Sequence, residues 1–89
     1  MKVFRIDTAM GDYFTLTEEE LNKQFTQEDI QEFKDNEDTF FYETRYTVKQ
    51  LNRARKLHRD QEYREWFEDE YMMSPSVFDI LIDLYGEAR

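Results

Sequence analysis

Four helix-start signals divide this 89-residue chain, and they limit its fold more than any other feature. Thr17 with Glu20, Thr26 with Asp29 and Thr47 with Gln50 each fit a reciprocal cap: a hydroxyl takes the amide three residues on, whose side chain returns to the cap amide. Ser74-Pro75 reads as the fourth signal, an N-cap followed by proline at the first helical position. Leu21 and Phe25 then face inward on the first helix. Ile30 and Phe33 do so on the second, which fades at 35–38. The longest helical stretch runs from Thr47 to near Met72. Leu51, Ala54 and Leu57 lie on one side of it and Tyr63, Trp66, Phe67 and Tyr71 roughly opposite. That stretch is therefore either sandwiched between two surfaces or broken near Asp60. The last helix, 75–85, is apolar nearly all round, with Asp79, Asp83 and Glu87 as its polar stripe. It should be mostly buried, or covered by a second copy.

The segments between helices favour strands. Val3-Phe4-Arg5-Ile6 and Tyr13-Phe14-Thr15-Leu16 flank a turn-forming stretch containing Gly11, which predicts an N-terminal hairpin burying Phe4, Ile6, Phe14 and Leu16. Thr39 to Tyr46 is rich in Phe, Tyr and Thr and supplies a third strand. The order β-β-α-α-β-α-α predicts an α+β domain: a small three-stranded antiparallel sheet (the N-terminal hairpin plus a strand near 39–46) packed with four helices. Residues 1–89 are expected to form a single compact domain.

Composition decides whether such a domain can hold together. Charged residues make up 37% of the chain, which taken alone favours disorder. The 8 Phe, 6 Tyr and 1 Trp argue the other way. Each can bury ~150–250 Å², enough to build a core where aliphatic residues are sparse. The absence of cysteine excludes disulfides and thiolate metal sites. The most apolar stretch, Val77 to Tyr85, is too short to span a bilayer. Asp7 interrupts what a signal peptide would need as an apolar run. A cytoplasmic protein without membrane contact is expected.

Charge is sorted along the chain. Residues 1–43 carry 12 acidic and 4 basic side chains, 44–64 carry 2 and 7, and 65–89 carry 7 and 1. Glu18, Glu19, Glu20, Glu28 and Asp29 fall in first helical turns, where carboxylates favour the positive end of the helix dipole. That reason does not extend to Glu32, Asp35, Glu37, Asp38 and Glu43, nor to Glu65, Glu68, Asp69 and Glu70. These nine form the candidate acidic binding surface. Tyr63 and Trp66 are candidate aromatic contacts beside it, with Phe67 and Tyr71 expected inside and Trp66 partly out.

The basic block, 45–64, holds a candidate patch of Lys49, Arg53, Arg55, Lys56 and Arg59. Its plain reading is neutralisation by the acidic helices at 18–37. Its functional reading is a surface for an acidic partner or nucleic acid. Over one helix running 47–72, positive charge would come first and negative last, against the dipole.

Catalytic and metal signatures fall short. His58-Arg59-Asp60 spells the kinase catalytic-loop tripeptide with none of its companions. His58 and Glu62 lack a third ligand. Residues 35–46 begin like a calcium loop but put Phe40 where glycine is needed and Tyr46 where the bidentate glutamate belongs. Ser74 and Ser76 read as helix-start residues rather than nucleophiles. No catalytic residue, cofactor or metal is assigned, and a non-enzymatic role is expected.

The leading expectation is a small acidic protein-binding module. Its specific form is an inhibitor that occupies the nucleic-acid-binding surface of a basic or nucleic-acid-handling protein, by imitating rows of phosphate as small proteins of phages and mobile elements do. One alternative is a nucleic-acid-binding regulator using the basic helix 45–64. Another is a homodimer formed through the 75–85 helix.

Overall fold

The computed structural model describes all residues, 1–89, and shows an α+β chain of three strands and five helices. It gathers into two compact units, Met1–Arg45 and Tyr46–Arg89.

The first unit holds β1 (Val3–Asp7), β2 (Tyr13–Thr17), α1 (Glu18–Gln24), α2 (Gln27–Asp35) and β3 (Phe40–Glu43). The sheet is antiparallel in the order β2-β1-β3, so the first strand is the central one. Gly11 takes a positive φ of 88° in the β1–β2 connection, a conformation that glycine adopts without a steric penalty. Alternation then sorts the side chains. Phe4, Ile6, Phe14, Leu16 and Phe41 share one face, which Leu21, Phe25, Ile30 and Phe33 of the α1–α2 segment cover. Phe14, Phe25 and Phe33 stack edge to face in series, at 5.5 and 5.1 Å between ring centres. On the opposite face Arg5 pairs with Asp7 at 2.8 Å, donates to Thr15 Oγ1 at 3.2 Å and sits 5.0 Å over the Tyr13 ring.

β3 is shorter than the expected 39–46 strand. Its regular pairing stops at Glu43, where the amide and the hydroxyl of buried Thr44 both donate to the Val3 carbonyl, each at 2.8 Å.

The second unit is helical: α3 (Val48–His58), α4 (Gln61–Tyr71) and α5 (Val77–Tyr85). The expected 47–72 stretch is two helices, making five in the chain rather than four. Asp60 causes the break. Its backbone is extended and its carboxylate accepts the Tyr63 amide at 3.3 Å, so it caps a new helix instead of continuing the old one. The separation also explains how two opposed apolar stripes coexist, since each helix now has its own orientation. Leu51 and Ala54 of α3, Phe67 of α4, and Ile80 and Leu81 of α5 are buried, and α3 packs against both other helices. Tyr46 donates to the Gly86 carbonyl at 2.6 Å and meets Phe78 edge to face.

α5 starts two residues later than Ser74-Pro75 suggests. Ser76 is the cap: its hydroxyl accepts the Asp79 amide at 3.1 Å, and the Asp79 carboxylate accepts the Ser76 amide at 2.9 Å. The reciprocal pair outcompetes the lone serine before proline. Ser74 instead donates to Glu68 at 3.0 Å. α5 is buried or half-buried along most of its length. Ile80 and Leu81 are enclosed, whereas Asp83 and 41% of Ile82 face outward. With Leu81 enclosed, any contact made by this helix with a second copy falls to Ile82 and its neighbours.

Candidate functional site

The sequence candidates divide between the two units. In the first, Glu32 and Asp35 project from α2 on the side away from buried Ile30, and Glu37 and Asp38 follow in the turn before β3. All four are exposed. Asp35 accepts from Gln31 at 3.0 Å, and the Asp38 amide is held by Asn36 at 2.8 Å, so this turn has a defined shape. Glu43 differs, because Lys2 lies 3.5 Å from its carboxylate and offsets its charge. From the sequence, Phe14, Phe25 and Phe33 read as core residues. In the structure they also floor an open cleft of about 310 Å³ with Glu32 at its lip. No periodicity rule could reveal that, because the cleft depends on how far the 8–12 loop stands from α2.

The second unit concentrates its candidates on α4. At 100° per residue, Phe67 points to the core, while Glu62, Glu65 and Asp69 occupy the opposite side and Glu68 lies at its edge, about a quarter-turn from Phe67. Glu70 follows at the end. All are exposed, and none forms an ion pair. Trp66 stands at the flank of this acidic face, 48% exposed, with its ring 5.6 Å from Tyr63 and 6.3 Å from Tyr71.

Tyr71 was expected inside with Phe67. It is 44% exposed, although its ring centre lies only 4.4 Å from that of Phe67. The reason is local. The helix ends one residue later, at Met72 in the left-handed conformation (φ 59°), and no further turn covers the ring. Tyr71, Met73, Ile82 and Asp83 thus line an open groove beside α5 with Phe67 at its base. The hydroxyls of Tyr63 and Tyr71 both donate to Asp83. Both titrate above the ordinary tyrosine range. Burial is the larger cause for Tyr63, followed by the Asp83 charge; for Tyr71 the hydrogen bond to Asp83 leads.

The helix break reverses one electrostatic expectation and sharpens another. α3 ends with Arg55, Lys56 and His58, so its cations lie where the dipole favours them. α4 ends with Glu68, Asp69 and Glu70 and has no cation in its last turn. Carboxylates there face the helix's partial negative charge, at ~0.3–1 kcal/mol each.

The basic candidates also separate. Lys49, Arg53, Lys56 and Arg59 are exposed together with Asn52 along about a third of the α3 circumference, and none is in an ion pair. Arg55 is half-buried and turns toward the Leu51 side. None of those four lies at contact distance from an acidic side chain of its own unit. No three His, Asp or Glu side chains are grouped so as to hold a metal ion. No helix is long and apolar enough to cross a membrane.

No match to this chain is found among protein-family models, curated proteins or solved structures.

Proposed function

We propose that this protein is a non-enzymatic, acidic binding module whose α4 face docks onto a basic surface of a nucleic-acid-handling protein and occupies the place of nucleic acid there. One observation carries the reading: Glu68, Asp69 and Glu70 crowd the C-terminal turn of α4, against the dipole and without a cation, beside exposed Trp66 and Tyr71. Folding alone would favour lysine at those positions. A cationic partner surface supplies the missing counter-charge, and Trp66 and Tyr71 give the apolar, hydrogen-bonding anchors that interface centres favour. Glu65 and Asp69 extend the negative face along the helix. A row of fixed carboxylates on a rigid helix can compete for lysine and arginine side chains that otherwise bind phosphates.

The test uses the intact protein as bait in nuclease-treated lysate at low and high salt, with mass spectrometry of what is retained. The expected catch is a basic nucleic-acid-handling protein that salt or added oligonucleotide displaces. The triple variant Glu68→Lys, Asp69→Lys, Glu70→Lys should lose that catch and yet unfold at a higher urea concentration than the parent, by roughly 1–2 kcal/mol in total. Retention of the same partner by the variant, or a catch with no such protein at any salt, rejects the reading.

A further inference from the structure

The exposed cations of α3 are not used by the acidic face of α4, and they stand out in a chain where 21 acidic residues face 12 basic ones. No carboxylate of their own unit pairs with these four cations, which leaves a line of positive charge along α3. Their spacing is regular. Lys49, Arg53 and Lys56 fall one helical turn apart in succession, and Arg59 continues the series, so the four span about 15 Å along the axis. Lys49, Arg53 and Lys56 also line a shallow groove with the amides Gln50 and Asn52 and the half-buried Tyr85 of α5.

We infer that this groove binds a short single-stranded nucleic acid, with Lys49, Arg53, Lys56 and Arg59 following the phosphates and the Tyr85 ring offering a base its face. Three features favour nucleic acid over an acidic protein. A line of like charges suits a phosphodiester chain, an aromatic ring set beside it gives a base a stacking platform, and the exposed Asn52 amide can reach base edges without requiring one sequence. The chain's net charge of −9 opposes approach from afar, but at physiological salt that field is screened within about 8 Å and the nearby cations govern contact. The inference does not depend on the α4 reading, since it uses another helix and another type of partner.

Fluorescence anisotropy of a labelled oligothymidylate of about ten nucleotides, titrated with the purified full chain at about 100 mM salt, provides the test. Arg53→Ala with Lys56→Ala should weaken binding at least about tenfold. Tyr85→Leu should weaken it about fivefold or more while Tyr85→Phe keeps it, because the ring and not the hydroxyl meets the base. Neutralising α4 (Glu68→Gln, Asp69→Asn, Glu70→Gln) should not weaken it, which separates this inference from the one above. Circular dichroism of each variant confirms that the fold is retained. Absence of binding by the parent, full binding by the double variant, equal binding by Tyr85→Leu, or equal affinity for a polyglutamate of matched charge overturns the inference.

Discussion

At the scale of single residues, Asp83 accepts from two tyrosine hydroxyls and adds to the response of the second unit to alkali. The Tyr63 and Tyr71 protons are held more tightly in the folded chain than in the unfolded one, where tyrosine titrates near pH ~10. Stability drawn from them is complete below that pH and is lost as pH climbs through the raised folded values. Asp83→Ala should therefore return both titrations toward the ordinary range, read by tyrosinate absorbance, and should flatten the fall of the urea midpoint above pH ~10 relative to the parent. Titration curves that do not move would show that the shared carboxylate has no such role. Met72 gives a second prediction. It is 88% exposed and left-handed, so it packs against little and bears the backbone penalty of a non-glycine residue there. Met72→Gly should stabilise by about 0.5–1 kcal/mol in urea unfolding, whereas Met72→Val should destabilise.

At the scale of elements, caps decide where helices begin, and the caps were the most legible part of the sequence. Thr17, Thr26 and Thr47 each start a helix with the partner their spacing implies. Replacing any one by alanine should cost about 1 kcal/mol, a loss measurable by urea denaturation. The face of the hairpin was legible too, because a period of two leaves only one choice once Phe4 and Ile6 are set inward. Two starts were less clear. Asp60 has no reciprocal partner three residues on, since Tyr63 cannot return a hydrogen bond to the cap amide, so the break was one of two readings. Ser76 was overshadowed by the serine-proline pair just before it. Burial around α4 was legible for Phe67 and Trp66 and not for Tyr71. Helical periodicity gives the direction of a side chain, but its cover depends on which neighbouring element reaches it, and α4 ends immediately after that ring.

At the scale of the whole molecule, charge is uneven. Residues 1–45 carry 12 acidic and 5 basic side chains, a net −7, and residues 46–89 carry 9 and 7, a net −2. Raising salt from about 10 to about 200 mM shortens the reach of this repulsion from ~30 Å to under ~8 Å. The melting temperature should therefore rise over that range, and a fall would mean that attractive pairs outweigh the excess of carboxylates. The central position of β1 has a different kind of consequence, one of timing. During synthesis its first neighbour, β2, leaves the ribosome soon after it, but its second, β3, is made only after two intervening helices. Until then one side of the oldest strand presents bare amides and carbonyls to other nascent chains, and translation that stalls before residue 40 leaves a fragment disposed to aggregate.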